Sequence, residues 1–427
     1  MKSFKLSFKK IFKWSIVSVI TYWILTTIIF GHTKFDSEKG EIIYGWSGFD
    51  ALFTDEDFGF SRNREWKTQL DGIDGPYIFD EIKFTVNSEN RIVQNKIDRN
   101  NPLKVVVNNK DKDEFQLVLK KEHQQEIDNY DLPSKLISIS DIEGNFNAFY
   151  SFLLNNKVID ENYNWTYDNG HLVLNGDFFD RGENVNQVLW LIYMLEEKAE
   201  EQGGKVHFIN GNHEIMNLYG DVSYTKEKYI EVAKQISNEK HWDTASKFLY
   251  SNNSELGKWL RSKNVIEKIG TYIFVHGGIN AKIINEKLSI SEINKISKKY
   301  YGKRKLGSEN SKENVVLSPY FGPYWDRSLS MDLMYKVAFL FNDPLNAPTH
   351  KPSQTELDDV LMFYNSQKIV IGHSVVNEVT YDYNNKVIKI DVKHGLNKNS
   401  ENTQGLLIEN GIEYIVNGLG VKMKLKI

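Results

Sequence analysis

Gly176-Asp177-Phe178-Phe179-Asp180-Arg181-Gly182, reached through the apolar run Leu172-Val173-Leu174, decides how this chain is read. Two aspartates and an arginine follow a strand-like run directly, at the carboxyl end where open α/β sheets place their sites. Four further blocks are built the same way. Asp141-Ile142-Glu143-Gly144-Asn145 follows Leu136-Ile137-Ser138-Ile139-Ser140, and Gly211-Asn212-His213-Glu214 follows Val206-His207-Phe208-Ile209. His276-Gly277-Gly278 follows Tyr272-Ile273-Phe274-Val275, and Gly372-His373 follows Ile369-Val370-Ile371. Between them apolar residues recur at helical spacing, as Phe146, Phe149, Tyr150 and Leu153, then Val185, Val188, Leu189, Ile192 and Leu195. Gly203-Gly204 closes the second of these helices. Strand, loop and helix thus alternate, which predicts an α/β domain. The blocks pool carboxylates, an amide oxygen and imidazoles, a ligand set for two divalent metals of intermediate hardness. They add an arginine for an oxyanion and a histidine–aspartate pair for proton transfer.

The five blocks, in this order, resemble the calcineurin-like metallophosphoesterases, and among them the bacterial Shewanella-like phosphoprotein phosphatases, over residues 133–427. The resemblance implies a four-layer α/β/β/α sandwich that hydrolyses phosphate monoesters through attack of a metal-bridging hydroxide. It implies that Asp177 bridges two metals. Asp141 and residue 143 would complete the first, and Asn212, His276 and His373 the second. Residues 141 and 143 alternate along an extended strand end, so both can face one site. The family's first block reads Asp-x-His-Gly, and this chain has Glu143 in place of the histidine. A glutamate keeps an oxygen ligand there and makes the pocket harder, favouring Mn²⁺ or Mg²⁺ over Zn²⁺, with iron also open. The reading of another class is a crippled first site in a catalytically attenuated metal-binding or scaffold protein.

By the same resemblance Arg181 grips two phosphate oxygens, His213 protonates the leaving oxygen and Asp180 holds the His213 tautomer from behind. Gly322-Pro323-Tyr324-Trp325-Asp326-Arg327 resembles the Gly-Pro-Leu-Trp-Tyr-Arg-Gly element of the Shewanella-like phosphatases, departing from it at Tyr324, Asp326 and Ser328. It implies Arg327 as a second phosphate clamp. Arg261, in Trp259-Leu260-Arg261, and His394, in Asp391-Val392-Lys393-His394-Gly395, are further candidates to line the site. His171 and His207 lie on core strands and read as packed rather than ligating. The implied substrate is a phosphoprotein, at Tyr or Ser/Thr; a nucleotide, dinucleoside polyphosphate or other small phosphoester is the alternative.

The rest of the chain bounds the reading. Its 427 residues, 41% hydrophobic and 26% charged, suffice for two or three domains. Lys2, Lys5, Lys9, Lys10 and Lys13, with no acid among the first 31 residues, leave −9 of formal charge for the remainder, which argues against a nucleic-acid partner. The absence of cysteine excludes disulfides, thiolate zinc sites and a cysteine nucleophile. No phosphate-cradling glycine motif and no Gly-x-Ser-x-Gly elbow occurs. Residues 14–30 are uncharged and long enough to span a bilayer, and no small-x-small cleavage site follows. Residues 1–31 therefore read as a membrane anchor or signal, an uncleaved single-pass anchor being favoured over a cleaved signal, with the lysines cytoplasmic and the catalytic domain outside, periplasmic in a Gram-negative cell. Residues 41–130 read as a small antiparallel β-rich module, with strands at Ile82-Lys83-Phe84-Thr85-Val86, Arg91-Ile92-Val93-Gln94, Leu103-Lys104-Val105-Val106-Val107 and Phe115-Gln116-Leu117-Val118-Leu119. Residues 133–427 read as the catalytic domain. The polar stretch 298–318 reads as a long loop insertion.

Overall fold

Alternation inside the apolar runs sets the layers. The computed structural model describes residues 8–36, 40–46, 48, 62–65, 67–304, 309–331 and 350–425. Helix α1 (Phe8–Phe30) is almost wholly exposed and apolar enough to cross a membrane, a description that a signal sequence also meets. After it, β1 (His32–Asp36), β2 (Glu41–Gly45) and β3 (Arg62–Glu65) pair antiparallel. So do β4 (Asp74–Phe79), β5 (Ile82–Val86) and β6 (Ile92–Lys96), and the hairpin β7 (Leu103–Val106) with β8 (Glu114–Leu117). The apolar sides of these hairpins join the core of the residues that follow. Trp190 Nε1 donates to the Pro76 carbonyl (2.8 Å), Phe79 stacks on Phe248 with ring centroids 4.9 Å apart, and Phe115 stacks on Phe146 at 6.3 Å.

The strands β9 (Asn129–Tyr130), β10 (Lys135–Ile139), β11 (His171–Leu174), β12 (Lys205–Phe208), β13 (Ile266–Ile269), β14 (Tyr272–Val275), β15 (Lys368–Ile371), β16 (Thr380–Asp382), β17 (Val387–Lys389), β18 (Gln404–Glu409), β19 (Ile412–Asn417) and β20 (Lys422–Lys424) form two mixed six-stranded sheets. Their orders are β12-β11-β10-β18-β19-β20 and β16-β17-β15-β14-β13-β9. Leu136, Val173, Phe274, Val370, Ile388 and Leu406 lie between the sheets, while Ile137, Leu172, Leu174, Ile273 and Ile369 face outward to helices. On one side these include α2 (Phe146–Asn155) and α3 (Val185–Glu200); on the other, Ile290–Tyr300 and Gln354–Phe363. This is the expected four-layer α/β/β/α sandwich. Burying a side chain such as Leu172 or Val173 is worth about 1.5–3 kcal/mol. A one-residue slip would turn each to the wrong layer, so the register is fixed by both faces at once.

Strands β10, β11 and β12 run parallel, as do β14, β15 and β17, which gathers their carboxyl ends. Asn175, just past β11, donates through Nδ2 to the carbonyls of Val275 (3.1 Å) and Val370 (3.2 Å), tying the two sheets together beneath the loops that follow. The stretch 298–318 departs from the expected loop: Ile290–Tyr300 runs into it, and Ser311–Val316 forms a second helix inside it. The reason is capping and one buried acid. Asn310 caps the second helix, and Glu313 accepts from Lys299 Nζ (2.7 Å) and Tyr300 Oη (2.6 Å).

Candidate active site

The loops at these carboxyl ends hold an unusual concentration of left-handed backbone. Asp141 (φ 55°), Glu143 (49°), Asp177 (60°), Asp180 (66°), Arg181 (53°) and His373 (65°) all sit there. Each such residue is strained, and strain that clusters at one place marks a functional site. Gly176 makes the close approach possible: a Cβ on it would lie 2.5 Å from His276 Nδ1.

Asp177 stands at the centre. Its Oδ1 accepts from the His213 backbone N–H (3.0 Å), and its Oδ2 lies 2.9 Å from His276 Nε2 and 3.7 Å from His213 Nε2. Donor atoms of Asp177, His276 and His373 all fall within 4.8 Å of one another, and all three residues are buried. His276 Nδ1 is 2.8 Å from the Asn175 carbonyl, which makes it the donor there and turns Nε2 toward Asp177 and toward Asn212 Oδ1 (3.1 Å). Nε2, a carboxylate oxygen and an amide oxygen therefore converge, and only a cation can sit among them. Burial would depress the His276 pKa, but the Asp177 and Asp141 carboxylates outweigh it and raise it to about 10, so a proton fills that role when no metal is bound. His373 behaves oppositely. Burial, with the Arg327 and His276 cations, keeps it well below the usual range, and its buried Nε2 has no hydrogen-bond partner among the described residues. A neutral imidazole keeps one lone pair for a metal, and Arg327 Nη2, 3.4 Å from Nδ1, marks that nitrogen as the one that carries it. Asp141 completes the approach, its Oδ2 accepting from the His373 N–H (3.2 Å). The donor set fits divalent metals.

The histidine and aspartate expected from sequence to form a proton-transfer pair are brought together as well. His213 Nδ1 lies 2.6 Å from Asp180 Oδ2, while Asp180 Oδ1 accepts from Asn217 Nδ2 (3.1 Å) and Thr225 Oγ1 (2.7 Å). Burial lowers the His213 pKa, yet Asp177 and Asp180 outweigh it and leave it raised. Glu143 is turned to Arg181: its Oε1 pairs with Arg181 Nη1. Arg327 Nη1 donates to the His373 carbonyl and to Ser374 Oγ (3.2 Å), at the edge of the cluster. Arg261 is not brought in; Nη1 donates to the carbonyls of Tyr250 and Gly257. His394 Nε2 donates to the Ser140 carbonyl (2.8 Å), bracing the strand end that carries Asp141.

Known proteins give this constellation its family. The model of the calcineurin-like phosphoesterases matches residues 134–418. The chain belongs to that family. The cold-active protein-tyrosine phosphatase of a psychrophilic Shewanella species superposes on this phosphoesterase with a TM-score of 0.68, at 28% identity, over 83% of this chain and 100% of that one. Shewanella-like protein phosphatase 1 of Plasmodium berghei is 31% identical over 250 residues, 58% of this chain and 63% of the relative. Shewanella-like protein phosphatase 2 of Arabidopsis thaliana is 34% identical over 102 residues, 24% of this chain and 26% of the relative. The phosphoesterase thus spans less than two thirds of the length of either of these two relatives.

Three residues of the site had no role assigned from sequence. Glu214 accepts from the backbone N–H groups of Asp177 (2.9 Å), Phe178 (2.7 Å) and Gly211 (2.7 Å), clamping two blocks together. Its place in Gly211-Asn212-His213-Glu214 was the available signal. Asp391 lies two residues past β17, where its carbonyl accepts from the Val376 N–H (2.8 Å), three residues beyond His373. Burial, and then the Asp177 carboxylate, hold its carboxyl above the usual range, and Asp141 is raised by burial and by Asp391. Tyr224 lies against both Arg181 and His213, and nothing in its local sequence announces that.

Proposed function

We propose that this phosphoesterase is a metal-dependent phosphoprotein phosphatase that hydrolyses phosphate monoesters, with phosphotyrosine the favoured substrate residue. The observation that carries the reading is Asp177, whose single carboxylate lies within reach of both His276, in the ligand cluster, and His213, the proton donor. The likeness to the cold-active protein-tyrosine phosphatase of Shewanella supports the tyrosine assignment.

In this reading Asp141, Glu143, Asp177, Asn212, His276 and His373 would hold two divalent ions, Mn²⁺ by preference. Such ions supply Lewis-acid neutralisation of the phosphoryl charge and make water a better nucleophile. Arg181 and Arg327 bind the phosphoryl oxygens and orient the ester for in-line displacement. Water adds to phosphorus as the ester P–O bond breaks, and His213 gives its proton to the departing phenol or alcohol oxygen. Asp180, fixed by Asn217 and Thr225, keeps the His213 proton donor aimed at that oxygen. Helix α1 anchors the chain with its lysine-rich start in the cytoplasm and the catalytic domain outside, which protease protection of intact cells or spheroplasts checks.

The test is turnover. The full chain in detergent, stripped of metal, should regain hydrolysis of an aryl phosphate when Mn²⁺, Mg²⁺, Fe²⁺ or Zn²⁺ is returned. No turnover with any of them would sink the enzyme reading in favour of a scaffold. Phosphopeptides set against nucleotides and dinucleoside polyphosphates then decide the substrate class.

A further inference from the structure

Tyr224 is half exposed, in a turn that the chemistry of the site does not itself require. Its ring centroid lies 5.0 Å from that of His213, edge to face, and the Arg181 guanidinium sits 5.1 Å over the ring. The turn is held from both sides. Arg181 N donates to the Tyr224 carbonyl (3.1 Å), and the neighbouring Thr225 hydroxyl is bound to Asp180. Tyr224 is therefore fixed beside the residue that protonates the leaving group and the residue that grips the phosphoryl oxygens.

In an in-line displacement the leaving group departs on the side of its acid, opposite the entering water. The wall beside His213 thus faces the ester's organic part. An aromatic side chain there offers a ring to stack on, which an aryl ester can use and a serine or threonine ester cannot. We infer that Tyr224 is a specificity-determining residue, the wall against which the aromatic ring of a phosphotyrosine lies. This rests on the phosphatase reading above and adds the residue that makes it selective. Val375 (68% exposed), two positions after His373, and Leu396 (81%), just past His394, leave apolar side chains at the same loop ends, where flanking residues of a peptide can settle.

The test compares a phosphotyrosine peptide with a phosphoserine peptide of the same flanking sequence, using the full chain in detergent with Mn²⁺. Tyr224→Ala should lower the ratio of kcat/KM values, tyrosine over serine, by about fivefold. The loss should fall mainly on KM, because stacking holds the bound ester. Tyr224→Phe keeps the ring and should keep the ratio. A ratio unchanged by Tyr224→Ala, or lowered as much by Tyr224→Phe, overturns the inference. Wild-type protein that cleaves phosphoserine and not phosphotyrosine also overturns it, with the phosphatase reading intact. Cleavage of neither peptide, nor of any aryl phosphate, overturns both.

Discussion

Glu143 is ion-paired with Arg181, so the residue standing where the sequence resemblance implies a histidine engages the arginine read as the phosphate clamp. A histidine would present a nitrogen to the first metal and leave that arginine alone. A glutamate has two oxygens, enough to hold a metal with one and steer Arg181 with the other. In the proposed reading one carboxylate would thereby link the metal and the guanidinium.

Glu143→Ala is accordingly expected to weaken the first metal site. Calorimetric titration of the stripped protein with Mn²⁺ should show two sites in the wild type. In the variant, one should loosen by about tenfold or more. Melting temperature should barely change, because Arg181 is 47% exposed and exposed ion pairs contribute about 0–1 kcal/mol. Two sites of unaltered affinity would remove Glu143 from the ligand set.

Asp180→Asn tests the proton donor. Burial pulls the His213 pKa down, but Asp177 and Asp180 raise it, so the acid form persists to higher pH than a free imidazole's. The rate that depends on it is present below the raised value and is lost as pH rises through it. Without the Asp180 charge the alkaline limb of kcat should move to lower pH, and kcat should fall by about 10²-fold. An alkaline limb that stays in place would assign it to another group.

Glu255 joins the N-terminal hairpins to the helices. It accepts from Arg99 Nη2 (2.9 Å), His123 Nε2 (2.9 Å) and Tyr193 Oη (2.8 Å). Burial would raise its carboxyl; those donors outweigh burial and hold it at about 2, below the ordinary 4.5. A depressed acid contributes stability above its unfolded value and loses it as pH falls through the folded one. The contribution is about 3 kcal/mol at neutral pH. Glu255→Gln should therefore melt well below the wild type at pH 7, with the gap narrowing at pH 3. A constant gap would mean that the charge is not what matters.

Much of this was legible because each apolar run ends abruptly in polar residues, which marks a strand's carboxyl end as clearly as any contact. Asp141, Asp177, Asn212, His276 and His373 could be gathered on that basis, with Asp180 and His213 beside them. Pairing between loops was not legible. Spacing along the chain cannot tell whether Glu143 looks to a metal or to Arg181, nor that Arg261 is spent on backbone carbonyls. The helix Ser311–Val316 was hidden for a different reason: with six residues and only Val315 and Val316 apolar it is too short to show an apolar period, and the Asn310 cap, Glu313 and buried Val316 hold it. Asp391 escaped because its position follows from pairing past the strand ends rather than from a motif.

Asp391 gives the last prediction. Burial first, and then the Asp177 carboxylate, keep its carboxyl above the usual range, and Asp141 is raised by burial and by Asp391 in turn. A buried carboxyl with a raised pKa costs stability once pH exceeds its ordinary value, since folding then has to retain a proton or tolerate like charges. A divalent cation removes that cost, and stabilises the fold further through its own binding. Asp391→Asn should therefore melt above the wild type in chelator at pH 7, and should gain less than the wild type when Mn²⁺ is added. The two shifts have opposite sign, so general loosening of the loop cannot mimic them. A variant that melts below the wild type in chelator, yet gains as much from metal, would show that Asp391 is a packing residue beside the site and not a part of its charge.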